Sequence, residues 1–353
     1  MFQEQLMGNK SIEDVAGVHD ELRKMLDNAL SEVIHDSTQP KTGALLQEHL
    51  DNGGKRLRGI LCVEAGLCQS VPLEQAIVLG AAVELLHNAS LIHDDIQDGD
   101  THRRGKPTLW KRYGLPQAIN IGDYAMLLPN KAIEAIEGIP DSMRWNLSMA
   151  FSRYSYKTIH GQVGEIEFPN EKGWSWSSYL KVIEEKTGTL FGLPVECASI
   201  LAGVELEEAR RIASAFVDLG VLFQLQDDVL DLYGSKGRTV RGCDLYEGKV
   251  SGLVVSHLEL YPDEEGALRE LLSAPREATQ ADEVEKWIQR FKNGGALEQT
   301  ILRIKRMKSR VESNPIFLDY PELLVLAQRL ANKLLGPIAE VICGVDQGLE
   351  NQT

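Results

Sequence analysis

Ile77-Val78-Leu79-Gly80-Ala81-Ala82-Val83-Glu84-Leu85-Leu86 decides the fold class, because apolar side chains occupy all sides of the helix it would form. A helix that is apolar all round belongs in a protein's centre and not on its surface. Outward from this stretch, apolar residues recur at three- and four-residue spacing from Leu73 to Asp98, from Tyr179 to Ala202 and from Glu207 to Tyr233. Period-two alternation, the mark of a half-buried strand, is nearly absent. An all-α chain follows, arranged as one large helical bundle around central apolar helices.

Turn-forming residues punctuate the helices at Asp51-Asn52-Gly53-Gly54, at Gly138 to Asp141, at Pro169 to Gly173 and at Gly234 to Gly242. Each is short enough for a connection inside a domain. With no linker and no repeat of fixed period, residues 1–353 read as a single domain, with 1–20 as an N-terminal arm. The stretch from Asp263 to Arg310, rich in Glu, Lys, Arg and Ala, predicts exposed amphipathic helices that cover the bundle.

With 43% hydrophobic and 25% charged residues, there is material for a large core and no bias towards disorder. A formal net charge of -15 argues against a nucleic-acid partner, since a polyanion needs a basic surface. The positive charge gathers instead at Lys55, Arg56 and Arg58 and at Arg103, Arg104 and Lys106, which suggests local anion sites. The run from Ala76 to Leu86 is too short to cross a bilayer, and no basic segment followed by a hydrophobic stretch opens the chain, so neither a transmembrane segment nor a secretory signal is expected. Five cysteines with no Cys-x-x-Cys pair indicate reduced thiols and a cytoplasmic protein.

Two segments carry the chemistry. Leu91-Ile92-His93-Asp94-Asp95-Ile96-Gln97-Asp98 sets Asp94 and Asp98 on one helical face with Asp95 beside them. Gln224-Leu225-Gln226-Asp227-Asp228-Val229-Leu230-Asp231 repeats the arrangement at the end of another apolar helix. Like charges so placed repel, and a divalent cation is the simplest partner to offset that cost. Carboxylate ligands select hard cations, and magnesium keeps waters and shares its shell with phosphate oxygens. Facing stripes of this kind would hold a magnesium cluster bridged by a diphosphate.

The paired motifs resemble the two aspartate-rich motifs of the trans-prenyl diphosphate synthases, closest to those making geranylgeranyl and polyprenyl diphosphates. The likeness runs from about Gly53 to Lys249 and implies the isoprenoid-synthase bundle around a deep central cavity. It also implies about three magnesium ions held by Asp94, Asp95, Asp98, Asp227, Asp228 and Asp231. Gly53-Gly54-Lys55-Arg56-Leu57-Arg58 matches a segment in which Lys55 and Arg58, joined by His87, bind the diphosphate of isopentenyl diphosphate. In Arg103-Arg104-Gly105-Lys106, Arg103 is expected at the allylic diphosphate and Arg104 at the isopentenyl diphosphate. Lys186-Thr187 resembles a pair that sits over the leaving diphosphate and near the carbocation, with Gln224 also near the cation. Lys249 follows as a further phosphate ligand. A lysine that many members carry before Asp244 is missing, which leaves Lys236, Arg238 and Arg241 as candidates for its contact.

The implied reaction is a head-to-tail condensation of isopentenyl diphosphate with an allylic diphosphate by a prenyltransferase, in family members that are usually homodimers. In the family that the sequence resembles, chain growth stops where bulky residues four or five positions before the first motif close the pocket. Here those positions hold Ser90 and Ala89, both small, and the gap between Asp95 and Asp98 is shorter than in many bacterial farnesyl synthases. A geranylgeranyl product is expected, with a farnesylgeranyl or longer product as the alternative. A class I terpene cyclase would pair one aspartate motif with an Asn/Ser/Glu metal motif, which is not found. A non-catalytic partner subunit would have lost aspartates or the Lys55/Arg58 pair, and both are intact.

Overall fold

The computed structural model describes residues 12–35, 40–234 and 241–350. The chain runs through α1 (Ile12–His35), α2 (Pro40–Leu50), α3 (Leu57–Cys68) and α4 (Leu73–Gln97) into a two-strand hairpin, β1 (His102–Arg103) and β2 (Lys106–Pro107). Then come α5 (Leu109–Tyr113), α6 (Leu115–Glu134), α7 (Asp141–Glu167) and α8 (Trp176–Ile183), a π-helical turn over Glu184–Gly188, α9 (Thr189–Leu201) and α10 (Leu206–Tyr233). The remainder is α11 (Cys243–Tyr246), α12 (Gly252–Leu260), α13 (Glu265–Ser273), α14 (Ala281–Asn293), α15 (Ala296–Glu312), α16 (Pro321–Leu335) and α17 (Ala339–Glu350). Among the described residues the antiparallel hairpin is the only sheet, so the fold is all-α. Of the expected N-terminal arm, residues 1–11 lie outside the described residues, and the rest begins α1.

Two compact units are distinguished. The first comprises Met1–Ser155, Leu190–Ser214 and Asp319–Leu326. Its centre is α4, against which α1, α3 and α6 pack. Leu79, Ala81, Ala82, Leu85 and Ala89 on this helix have no exposed surface, as an all-round apolar stretch requires. The one charge in that stretch, Glu84, is satisfied because its Oε1 accepts the backbone N–H of Gly59 at the start of α3, 2.8 Å away. By length and composition α4 could cross a bilayer, but most of it is buried inside the protein.

The second unit comprises Tyr156–Thr189, Ala215–Leu318 and Ala327–Thr353. Here α12 is buried over nearly its whole length and packs against α8, α14 and α15. Phe216 and Phe317 meet edge to face with centroids 6.0 Å apart, a favourable aromatic geometry. The charged stretch after Asp263 folds as amphipathic helices, with Leu268, Leu271 and Leu272 of α13, Val284, Ile288 and Phe291 of α14, and Ile301 and Ile304 of α15 turned inward. One feature departs from periodicity. The stretch from Tyr179 to Ala202 is not one α-helix, because a π turn over Glu184–Gly188 interrupts it.

Candidate active site

In the first unit the chain leaves α2 through Gly53 and Gly54, at φ 85° and 152°, values that only glycine adopts without strain. Gly54 also lets the Arg104 guanidinium lie against the backbone, since an added Cβ would stand 2.7 Å from its Nη1. Arg56 takes the left-handed conformation at φ 47° and is pinned there by Asp27, 2.7 Å away, and by the Leu50 carbonyl, 3.0 Å away. Its role is thus to hold the turn, while Lys55 projects into solvent and Arg58 is buried.

Arg58 donates from Nη1 to Nε2 of His87 at 3.0 Å and lies over the Phe191 ring at 5.1 Å. Burial, opposed by Glu84 and Asp94, lowers its pKa to about 10. Because Nε2 of His87 accepts, the imidazole is neutral with its proton on Nδ1. Burial and then Arg58, Arg103 and Arg104 push its pKa well below the usual histidine value. Arg58 Nε and His87 Nδ1 are both buried without a hydrogen-bond partner in the protein, so two donors await an acceptor.

Arg103 donates to Asp95 at 2.6 Å. Burial, opposed by Arg103, pushes the Asp95 carboxyl up to about 6. Arg104, beside Arg103 and Arg56, has its pKa lowered by burial and then by those two cations. His49 marks how close these charges are: burial, then Arg103, Arg104 and Arg56, hold it down to about 4. His49 was not among the residues expected from the sequence. Asp94, in the last turn of α4, and Asp98, just past its end, are half-exposed, with Ala89 buried farther up the helix and Ser90 bonded to the His87 carbonyl at 2.8 Å. His93 joins this turn to α6 through Asp123, 3.2 Å away.

In the second unit Asp227 is half-exposed near the end of α10, whereas Asp228 and Asp231 are buried. Asp228 accepts from Gln224 Nε2 at 3.0 Å through Oδ1, and from Gly252 N–H at 2.7 Å and the Tyr179 hydroxyl through Oδ2. Burial raises it to about 6 against the pull of these donors. Asp231 accepts the Asp244 N–H at 3.2 Å. The Asp244 carboxyl is raised well above the carboxylate range by burial and by Asp231 and Asp228.

Thr187 donates to Gln224 Oε1 at 3.0 Å. Lys186 pairs with Glu165 of α7, and Lys249 lies 3.1 Å from Glu247. The π turn that carries Lys186 and Thr187 is admitted by Gly161, where a Cβ would meet the Lys186 nitrogen at 2.2 Å. Arg241 is folded onto the Leu232 carbonyl, the Tyr233 ring and Glu285, while Lys236 and Arg238 lie outside the described residues.

The donor set suits magnesium. Both aspartate groups are all-oxygen and sit at helix C-terminal ends, where the helix dipole disfavours negative charge and a cation offsets it. Among the described residues no three His, Cys, Asp or Glu side chains form a ready metal cage, and magnesium bound with phosphate does not need one.

The polyprenyl synthetase profile matches residues 39–291. A short chain isoprenyl diphosphate synthase of Methanocaldococcus jannaschii is 38% identical over 225 residues, covering 62% of this chain and 67% of that protein. A geranylgeranyl diphosphate synthase of Methanosarcina mazei is 30% identical over 315 residues, 86% of this chain and 92% of that one. The crystal structure of geranylgeranyl pyrophosphate synthetase from Pyrococcus horikoshii superposes with a TM-score of 0.79 at 26% identity, over 91% of this chain and 99% of that chain. With the profile spanning well over half its length, the chain belongs to the polyprenyl synthetase family.

Proposed function

We propose that the protein is a prenyltransferase that joins isopentenyl diphosphate to an allylic diphosphate and makes geranylgeranyl diphosphate. The observation that carries this reading is the pair of buried, unmatched donors at Arg58 Nε and His87 Nδ1. They stand with Arg103 and Arg104 in one electropositive setting, as their mutual effect on His87 indicates. An enzyme acting on one diphosphate needs one anion site. A second is needed only for a second diphosphate. Relatives named geranylgeranyl diphosphate synthase support the product class.

In this reading Lys55, Arg58, His87 and Arg104 hold isopentenyl diphosphate, while Arg103, Lys186 and Lys249 hold the allylic diphosphate. Bound magnesium, about three ions with Asp94, Asp95, Asp98, Asp227, Asp228 and Asp231 as protein ligands, would supply positive charge to the leaving diphosphate. The allylic C–O bond breaks with its electron pair going to the diphosphate, and the isopentenyl double bond attacks the cation to form the new C–C bond. The proton then lost goes to the departing diphosphate. Oxygens of Thr187 and Gln224 support the cation, and an apolar surround protects it from water. Ala89 and Ser90 leave room for the growing chain, with a farnesylgeranyl or longer product as the competing outcome.

Residues 1–353 act as one catalytic domain in this reading, since the family profile runs without a break from residue 39 to 291. The cytoplasm is the proposed compartment. A homodimer is proposed through α7, which exposes Tyr156, Ile159, Val163 and Ile166 at three- and four-residue spacing.

The test is incubation with radiolabelled isopentenyl diphosphate, magnesium, and geranyl or farnesyl diphosphate, with products separated by chain length. Label in a C20 chain is expected. Cyclic products without isopentenyl uptake would instead establish a terpene cyclase, and no product would leave a non-catalytic subunit.

A further inference from the structure

Four side chains of the second unit form one hydrogen-bonded chain, Tyr179 to Asp228 to Gln224 to Thr187. Its direction can be worked out donor by donor. Asp228 is only 3% exposed and both its oxygens are engaged: Oδ2 by the Tyr179 hydroxyl and the Gly252 N–H, Oδ1 by Gln224. A carboxylate only accepts, so Gln224 must turn its NH₂ towards Asp228, and its carbonyl Oε1 faces Thr187. Thr187 therefore gives its only hydroxyl proton to Gln224 and keeps its lone pairs outward. Asp228 also receives the first N–H of α12, so the positive end of that helix helps hold it in place.

We propose that Asp228 is not a metal ligand but the anchor that, held by Tyr179, orients the Gln224 and Thr187 oxygens for the reaction. Tyr179 is accordingly a positioning residue for catalysis. This rests on the prenyltransferase reading and adds to it a residue, Tyr179, and a changed role for one aspartate. Loss of the anchor reverses dipoles without removing a magnesium ligand. In Asp228→Asn the new amide can keep its oxygen towards Tyr179 and Gly252 only by pointing its NH₂ at Gln224. Gln224 then flips and turns its own NH₂ to Thr187.

The experiment compares wild type with Tyr179→Phe, Asp228→Asn and Asp227→Asn. Isothermal titration calorimetry with inorganic diphosphate and magnesium reads binding, and steady-state assays read kcat and KM. Tyr179→Phe and Asp228→Asn are expected to bind magnesium diphosphate within about twofold of wild type while kcat falls about 10- to 100-fold with KM little changed. Asp227→Asn should lose that binding. Adding Gln224→Glu to Asp228→Asn restores an oxygen towards Thr187 and should recover about tenfold in kcat, a rescue that a purely structural role does not predict and that stands even if Tyr179→Phe fails to fold. Loss of magnesium diphosphate binding by Asp228→Asn to the level of Asp227→Asn, wild-type kcat in folded Tyr179→Phe, or no rescue overturns the proposal. A wild-type protein that takes up no isopentenyl diphosphate sinks the functional reading itself, a separate result.

Discussion

Arg58 donates to His87 Nε2 at 3.0 Å, and that single bond forces the His87 proton onto Nδ1, where it has no protein acceptor. A neutral imidazole thus serves as a directed donor beside a buried cation. His87→Ala removes that donor and should raise KM for isopentenyl diphosphate about 10- to 100-fold, the range for hydrogen bonds to charged groups, with KM for the allylic substrate little affected. Varying each substrate in turn checks this. An equal loss on both would place His87 elsewhere.

Ala89 is fully buried farther up α4 than Asp94. A phenylalanine there should block the space below the first aspartate set and shorten the product. Mass spectrometry of the Ala89→Phe products should show the main chain length reduced from C20 to C15 or less. An unchanged distribution would remove Ala89 from the chain-length assignment.

Gly161 has no Cβ, which is why α7 can approach the backbone nitrogen of Lys186. Gly161→Ala places a carbon 2.2 Å from that nitrogen, too close for side-chain rearrangement to relieve. Destabilisation of about 1–3 kcal/mol is expected, along with a fall in kcat as the π turn carrying Lys186 and Thr187 shifts. Denaturant unfolding and turnover measured together check both effects.

These features differ in how far the sequence disclosed them. The α4 helix and its carboxylates were legible because burial of an apolar helix and repulsion between Asp94 and Asp98 are local in sequence. The π turn was not, since so short an interruption barely alters apolar spacing. Partnerships such as Lys186 with Glu165 or Tyr179 with Asp228 join residues 21 and 49 positions apart, and no local pattern encodes them. His49 was missed for the same reason: its depressed pKa comes from burial and then from three arginines, all brought about by the fold.

That cluster makes stability depend on pH. His49 is held to about 4 in the fold, whereas an unfolded histidine titrates near 6.5. Protons therefore bind the unfolded chain first, and the stability due to neutral His49 is present above about 6.5 and lost as pH falls towards 4. The loss should reach about 3 kcal/mol by pH 4, with His87 adding in the same direction. Urea unfolding of wild type and His49→Gln across this window should show a shallower slope for the variant.

Asp94 and Asp227 are half-exposed near the ends of α4 and α10, whereas Asp95 and Asp228 are almost fully buried. Solvent beside a carboxylate at a helix end gives a hydrated magnesium ion access to it. Asp94→Ala and Asp227→Ala should therefore each lower kcat by more than about 1,000-fold while leaving unfolding midpoints nearly unchanged, since removing repelling charge from a helix C-terminus costs little stability. Thermal unfolding with and without magnesium and inorganic diphosphate separates the effects. Wild type should be stabilised by the pair and each variant should not, whereas full activity in either variant would rule out carboxylate-held magnesium at that position.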